Sequence, residues 1–227
     1  MLFTLSVYES LWIKSKGSDP LLWYIVVMPR KTIALQTGEI YHIYNRGVDK
    51  RIIFQDHHDY LRFYNSLAYF NTVEPSLSFR LAKFRHQNSD SIVEVIAYNL
   101  LLNHYHLLVK QTVDGGISEY IKRLAAGYTG YFNEKYERSG VLFQGKFKRA
   151  HIESDNQFRY VFAYVNENHH VHNLKRETEI YLTSSCHYQG KGVSKIINYC
   201  TAYDHEEAKK LAVAIFKKRI DLKEVLE

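Results

Sequence analysis

Two adjoining stretches, Ser91-Ile-Val-Glu-Val-Ile-Ala-Tyr-Asn-Leu-Leu-Leu102 and His104-Tyr-His-Leu-Leu-Val-Lys110, decide the fold. Both are dense in β-branched and aromatic residues, which favour a pleated, buried surface. Asn103 interrupts them, so they read as two consecutive strands rather than one long element. Upstream, Glu39-Ile-Tyr-His-Ile-Tyr-Asn-Arg46 alternates and reads as a strand ending at Gly47. Between these strands, Tyr60, Leu61, Phe63, Tyr64, Leu67 and Phe70 fall at helical spacing within 57–72. A polar loop is expected over 84–91.

Downstream, Asp114-Gly-Gly is a turn, and the stretch 117–137 is the clearest helix. Ile117, Ile121, Leu124, Tyr128 and Tyr131 or Phe132 supply its apolar stripe, Gly127 and Gly130 weaken it, and Gly140 ends it. The stretch 145–152, GKFKRAHI, reads as a short basic strand. Ser154-Asp155 then caps a helix whose core begins at Phe158. Past Asn173 the pattern weakens, 184–192 reads as loop, and a basic amphipathic helix over 204–219 closes the chain. Strands and helices interleave through short links, which predicts an α+β domain with one mostly antiparallel sheet. The expected organisation is an N-terminal extension over 1–30, a core domain over 31–190 and a basic helical tail over 191–227. Residues 1–28 look unlike the rest, as an upstream start codon would leave them.

Composition narrows the classes. The chain has 227 residues, 46% hydrophobic and 24% charged, which is globular rather than disordered. Two cysteines cannot build a disulfide scaffold or a four-cysteine zinc site, which suggests a reducing compartment. The longest apolar run, Leu21 to Met28, is eight residues, far below the roughly 20 a spanning helix needs. No basic n-region or cleavage site frames it, so a cytoplasmic protein with no membrane partner is expected. Nineteen Tyr, 12 His and a net charge of +6 suggest phosphate contacts with base stacking. A Tyr-rich core is the competing account of the same count.

The chemistry concentrates in three places. His104 and His106 alternate with Tyr105 in a strand, so the two imidazoles share a face, about 6.6–7 Å apart along the backbone. That spacing suits one divalent ion, although His pairs also simply satisfy local hydrogen bonds. Tyr164-Val-Asn-Glu-Asn168 places Tyr164 and Asn168 at i and i+4 on the last core helix. Packed on the histidine strand, Asn168 offers an amide oxygen as third ligand and Tyr164 a phenol; Tyr164 also suits a plain interface. Lys146, Lys148 and Arg149 precede His151 in the basic strand, where Lys146 and Lys148 would share a face along a phosphate backbone. An edge strand kept soluble by lysine is the alternative.

Taken together, the chain resembles the REP-associated tyrosine transposases, the HUH single-tyrosine, IS200-like class acting on single strands. The resemblance rests on Tyr41-His-Ile-Tyr-Asn-Arg-Gly47, Asn103-His-Tyr-His-Leu-Leu-Val109, Tyr131-Phe-Asn133, Gly140-Val-Leu-Phe-Gln-Gly-Lys-Phe-Lys148 and Tyr164-Val-Asn-Glu-Asn168, in family order. It implies a ferredoxin-like fold, a mostly antiparallel sheet with helices on one face. It implies Tyr164 as nucleophile, His104, His106 and Asn168 as metal ligands, and Mg or Mn as the metal. It implies single-stranded or hairpin DNA as partner, with both monomer and homodimer among the states relatives adopt. Two departures stand out: Leu101-Leu102 where the family often has Met-Pro, and His169 where Pro often follows the ligand Asn. The second puts the placement of Asn168 in question and brings in Glu167 and His170 as substitute ligands.

These groups suit phosphodiester chemistry. A tyrosine phenol, with a reference pKa of about 10, is a poor nucleophile at neutral pH unless a neighbour stabilises the phenolate. Attack by Tyr164 would leave a 5′-phosphotyrosine and a 3′-hydroxyl, so cleavage and joining become one reversible step. Arg46, Lys146, Lys148 and Arg149 are the DNA-contact candidates, with Tyr44 and Phe147 as stacking candidates. Three rivals are a binder of the same fold without catalysis, a hydrolase using water, and a zinc-stabilised protein using His169, His170 and His172.

Overall fold

The computed structural model describes residues 34–74, 90–168 and 181–188, with the single positions Phe79, Ile196 and Lys210. All of them belong to the unit Ile33–Glu227. The expected extension over 1–30, the loop over 84–91 and the tail helix over 204–219 fall almost wholly outside the described residues.

The elements run β1 (Ile40–Arg46), α1 (His57–Tyr69), β2 (Val93–Leu101), β3 (His104–Gln111), α2 (Gly116–Lys135), β4 (Lys148–Ile152), α3 (Asp155–Asn166), β5 (Leu182–Thr183) and α4 (Ser185–Tyr188). The sheet order is β4-β1-β3-β2-β5, and every pairing is antiparallel. The first four strands with α1 and α2 make the β-α-β-β-α-β pattern of a ferredoxin-like fold. β5 adds a two-residue rung at the β2 edge. The expected α+β class and antiparallel sheet are therefore present.

One face of the sheet carries the core. Tyr41, Ile43, Tyr105, Leu107, Val109, Val95, Tyr98 and Leu100 pack with Phe63 and Leu67 of α1 and Tyr120, Leu124 and Tyr128 of α2. Six tyrosines are among the largest fully buried side chains: Tyr41, Tyr60, Tyr98, Tyr105, Tyr120 and Tyr128. The tyrosine count thus largely reflects the core rather than base-stacking surfaces. Buried hydroxyls reach backbone carbonyls where geometry allows, as in Tyr120 to Leu67 at 2.9 Å.

α1 begins with a reciprocal cap. Asp56 accepts from the Asp59 backbone at 3.1 Å, and Asp59 accepts from the Asp56 backbone. Asp59 is fully buried, yet it also accepts from Tyr131 at 2.9 Å, Tyr136 at 2.7 Å and Lys135 at 2.7 Å. A buried carboxylate is stable only when so supplied with donors. The cluster fixes the end of α2 against the start of α1. At the far end of α1, Asn71 and Val93 exchange hydrogen bonds at 2.8 and 3.0 Å, bracing the entry to β2. Gly127 explains itself here: a Cβ at that position would lie 2.6 Å from Phe70 Cζ. The glycine that weakens α2 in isolation lets the two helices meet.

The second face is not left bare. Burial of Tyr160 to Asn166 shows α3 pressed against the sheet, where it packs on β2 and β3. The helices, expected on one face, are divided between both: α1 and α2 on one, α3 on the other. The reason lies in β1 and β3, whose second face carries His42, Tyr44 and His106, polar aromatics that need an aromatic partner. A bulge between Val95 and Ala97 shifts the β2 register, so that Asn99 joins this second face while Tyr98 and Leu100 join the core.

Candidate active site and nucleic-acid face

The β1–β3–β2 register builds the site. Tyr44 lies opposite His106, His106 opposite Asn99, and Arg46 opposite His104. Residues directly opposite across a ladder project to the same side. His104 and His106 thus share a face as expected, and Tyr105 lies in the core, 1% exposed.

His106 is 6% exposed and enclosed by rings. The Tyr44 ring stacks 5.7 Å from it and the His104 ring stands perpendicular at 5.1 Å. From above, the Tyr164 ring meets His106 edge-on at 5.5 Å and His42 at 5.9 Å. The structure therefore brings Tyr164 to the histidine pair.

The ring nitrogens are committed on one side. His104 Nδ1 lies 2.7 Å from Asn103 Oδ1, and the Asn103 amide nitrogen donates to Lys50 O at 3.2 Å. The carboxamide orientation is thus set, its oxygen can only accept, and His104 Nδ1 must donate. His106 Nδ1 lies 2.9 Å from His42 Nε2 in a buried contact. Burial pushes the His42 pKa down to about 4, so this imidazole is neutral at physiological pH.

Asn168 sits differently from the i, i+4 expectation. α3 ends at Asn166 with Glu167 as C-cap, so Asn168 follows the helix instead of lying on its face. It is nonetheless fully buried, and neither Oδ1 nor Nδ2 has a hydrogen-bond partner among the described residues. Glu167, the substitute ligand, accepts from Ser185 Oγ at 2.6 Å in a buried pair, and His170 lies outside the described residues. The His169, His170 and His172 cluster lies outside them too. Among the described residues, no group of three or more His, Cys, Asp or Glu side chains is disposed to hold a metal. The expected site has only two imidazoles and draws its third donor from an amide.

The end of α3 is sewn to the sheet. Asn99 Nδ2 donates to Val165 O at 2.9 Å and to Asn166 O at 3.5 Å. Thr183 Oγ1 donates to Asn166 O at 2.7 Å, and Ser184 Oγ to Asn166 Oδ1 at 2.6 Å. Asn99 and Thr183 thereby satisfy carbonyls a helix leaves open at its C-terminus, and Ser184 holds the Asn166 side chain. Sequence reading assigned no role to Asn99, Thr183, Ser184 or His42. For His42 a signal existed: it alternates with Tyr44 and Arg46 and so shares their face.

The basic candidates separate. Arg46 and Lys148 are exposed, and the register places both on the site face, Lys148 opposite Tyr44. Arg46 also hydrogen-bonds Gln144. Arg149 lies opposite Ile43, whose side chain faces the core, and so belongs to the other side of the sheet. The expected strand over 145–152 begins only at Lys148, which leaves Lys146 in the preceding turn and not in register with it. Gly145, with φ at 65°, makes that turn and forestalls an earlier strand start. Phe147 packs against the hydrophobic core and Tyr44 against the two histidines.

Residues 72–168 match the family of IS200-like transposases. The matched stretch runs from the end of α1 through β2, β3, α2, β4 and α3 and contains His104, His106, Tyr164 and Asn168. β1, with His42 and Tyr44, lies outside it. No curated protein matches the chain significantly. Among solved structures, a REP-associated tyrosine transposase bound to a REP hairpin is similar over 78% of this chain and 94% of that one, at 13% identity and a TM-score of 0.48. Among the described residues, no helix is long and apolar enough to cross a membrane.

Proposed function

We propose that the protein is a transposase-type endonuclease that cleaves and rejoins single-stranded DNA beside hairpins, with Tyr164 as nucleophile. The observation that carries this reading is the Tyr164 ring set edge-on to His106 at 5.5 Å, on the face that also presents His104.

His104, His106 and Asn168 would hold a divalent cation, Mg or Mn. The fit rests on two features. Each imidazole has its Nδ1 engaged, by Asn103 or by His42, so Nε2 is the nitrogen each directs to a ligand. Asn168 buries an amide with no partner among the described residues, an arrangement that costs about 1–3 kcal/mol unless a ligand completes it. Such an ion, when bound, neutralises a non-bridging phosphate oxygen and orients the phosphorus. An N/O donor set of this kind is tolerant among Mg, Mn and related ions.

The chain's own residues do the rest. The Tyr164 phenolic oxygen gives up its proton and forms the new bond to phosphorus, the bond to the 3′-oxygen breaks, and that oxygen takes up a proton and leaves as a 3′-hydroxyl. Ester energy is kept in the phosphotyrosine, so a second 3′-hydroxyl reverses the step. α3, docked by Asn99, Thr183 and Ser184, holds the phenol over the histidines. Arg46 and Lys148 line the same face and suit the DNA backbone.

The test is a denaturing gel of labelled hairpin DNA with single-stranded flanks, incubated with Mg or Mn and wild-type or Tyr164→Phe protein. A metal-dependent band retarded by the 26.8 kDa chain, absent in the variant, is expected. Cleavage with no retarded band would instead mean that water is the nucleophile. Tight binding without cleavage would mean a catalytically inactive binder.

A further inference from the structure

The pair formed by His42 and His106 goes beyond the ligand set. His42 sits on β1, diagonally across the ladder from His106, since its own partner is Leu108. Its Nε2 lies 2.9 Å from His106 Nδ1, and the two rings lie 5.1 Å apart at 21°. His42 is only 9% exposed. A neutral imidazole has one donor nitrogen and one acceptor nitrogen. Two tautomer pairs would satisfy this contact, and they have opposite consequences. If His42 donates, His106 carries its proton on Nε2 and cannot ligate. If His106 donates, its Nε2 keeps a lone pair for a ligand.

The neighbouring histidine shows which pattern the site uses. His104 must donate from Nδ1 to Asn103, which leaves its Nε2 unprotonated when the ring is neutral. His106, whose Nδ1 is turned to His42, can likewise serve an ion only through Nε2, and only if that nitrogen is unprotonated. We propose that His42 is a positioning residue that accepts a hydrogen bond from His106 Nδ1 and thereby fixes His106 as an Nε2 ligand. Hydrogen bonds to the distal nitrogen of a ligating histidine orient the ring and raise its basicity. Here a neutral imidazole from the next strand takes the place usually filled by a carboxylate or carbonyl. The inference rests on the metal reading above, and its test has an arm that does not need the metal.

In metal-free wild-type protein, two-bond nitrogen–proton correlation spectra report the tautomers. His106 is expected to be protonated at Nδ1 and His42 to be unprotonated at Nε2. Protonation of His106 at Nε2 overturns the proposal. The second arm titrates Mn²⁺ into wild type, His42→Phe and His42→Gln, with no DNA present, by calorimetry. His42→Phe keeps a flat ring but removes the acceptor, and should weaken Mn²⁺ binding about 10–100-fold. His42→Gln, which can still accept, should recover part of that loss. Unchanged affinity in His42→Phe would also overturn the proposal. Absence of Mn²⁺ binding in the wild type would defeat the metal reading, while the tautomer still decides the role of His42.

Discussion

Asn99 offers the sharpest test of how the fold holds the candidate nucleophile. Its side chain is fully buried and is used unevenly: Nδ2 reaches Val165 O at 2.9 Å and Asn166 O at 3.5 Å, while Oδ1 has no partner among the described residues. Asn99→Leu removes one good hydrogen bond, a net loss of about 1 kcal/mol, and strands the Val165 carbonyl at about 1–3 kcal/mol. It also removes the orphan oxygen and adds apolar burial, which together recover a similar amount. Its net effect should lie within about 1 kcal/mol. Asn99→Asp recovers nothing. It turns a second acceptor toward two carbonyls and the negative end of α3, and it buries a charge. It should cost at least about 3 kcal/mol near neutral pH, or at least about 6–12 °C in melting temperature for a domain of this size. The sign with pH follows. Burial beside carbonyls favours the neutral acid, so the new group has a folded pKa above its unfolded value of about 4. The folded state then holds more protons, and stability falls as pH rises from that value. Urea melts of both variants at several pH values decide the matter. Equal stabilities, or an Asn99→Asp deficit that does not ease toward acid, would refute the docking role.

Two further outcomes follow from the geometry. Lys148→Ala should weaken single-stranded DNA binding and reduce the slope of log K against log salt by about 0.7, whereas Arg149→Ala, on the opposite side of the sheet, should change neither; fluorescence anisotropy across a salt series measures both. Asp56 is held below the ordinary carboxylate range, first by the hydrogen bond from Lys135, and its side chain is 47% exposed. A depressed carboxyl contributes stability that is present at neutral pH and lost as pH falls through the folded pKa. Asp56→Ser, which keeps an N-cap oxygen, should therefore cost no more than about 1 kcal/mol at pH 7, and the gap should close in acid melts.

Much of this arrangement was legible in the sequence because periodicity is local. The alternation of His104, Tyr105 and His106 put two imidazoles on one face and the phenol in the core, and the ladder register follows that division. The order of strands and helices gave the α+β class. What escaped depends on long-range register. His42 meets His106 only because β1 pairs with β3 in one particular alignment, which no single segment encodes. Arg149 already alternates with Lys148 along the strand, but only the pairing of β4 with β1 says which of the two faces the histidines. Asn168 left the helix face because α3 stops at Asn166, where Asn99 and Thr183 take over its last carbonyls from other parts of the chain and Ser184 holds the Asn166 side chain. The excess of tyrosine was ambiguous in composition and is resolved largely in favour of the core.

The bulge in β2 has a consequence for how this strand can change over time. Before the bulge, Val93 and Val95 point into the helical core; after it, Tyr98 and Leu100 do, and Asn99 faces α3. The strand is thus two half-strands in opposite phase, joined at Ile96. Replacing Ile96 by another apolar residue disturbs neither phase. Losing it would leave Val93, Val95, Tyr98 and Leu100 in strict alternation against the same partners on β3, all still facing the core, so both halves keep their places. The position should therefore tolerate both substitution and deletion, and lineages of this domain are free to differ in length here as well as at its loops.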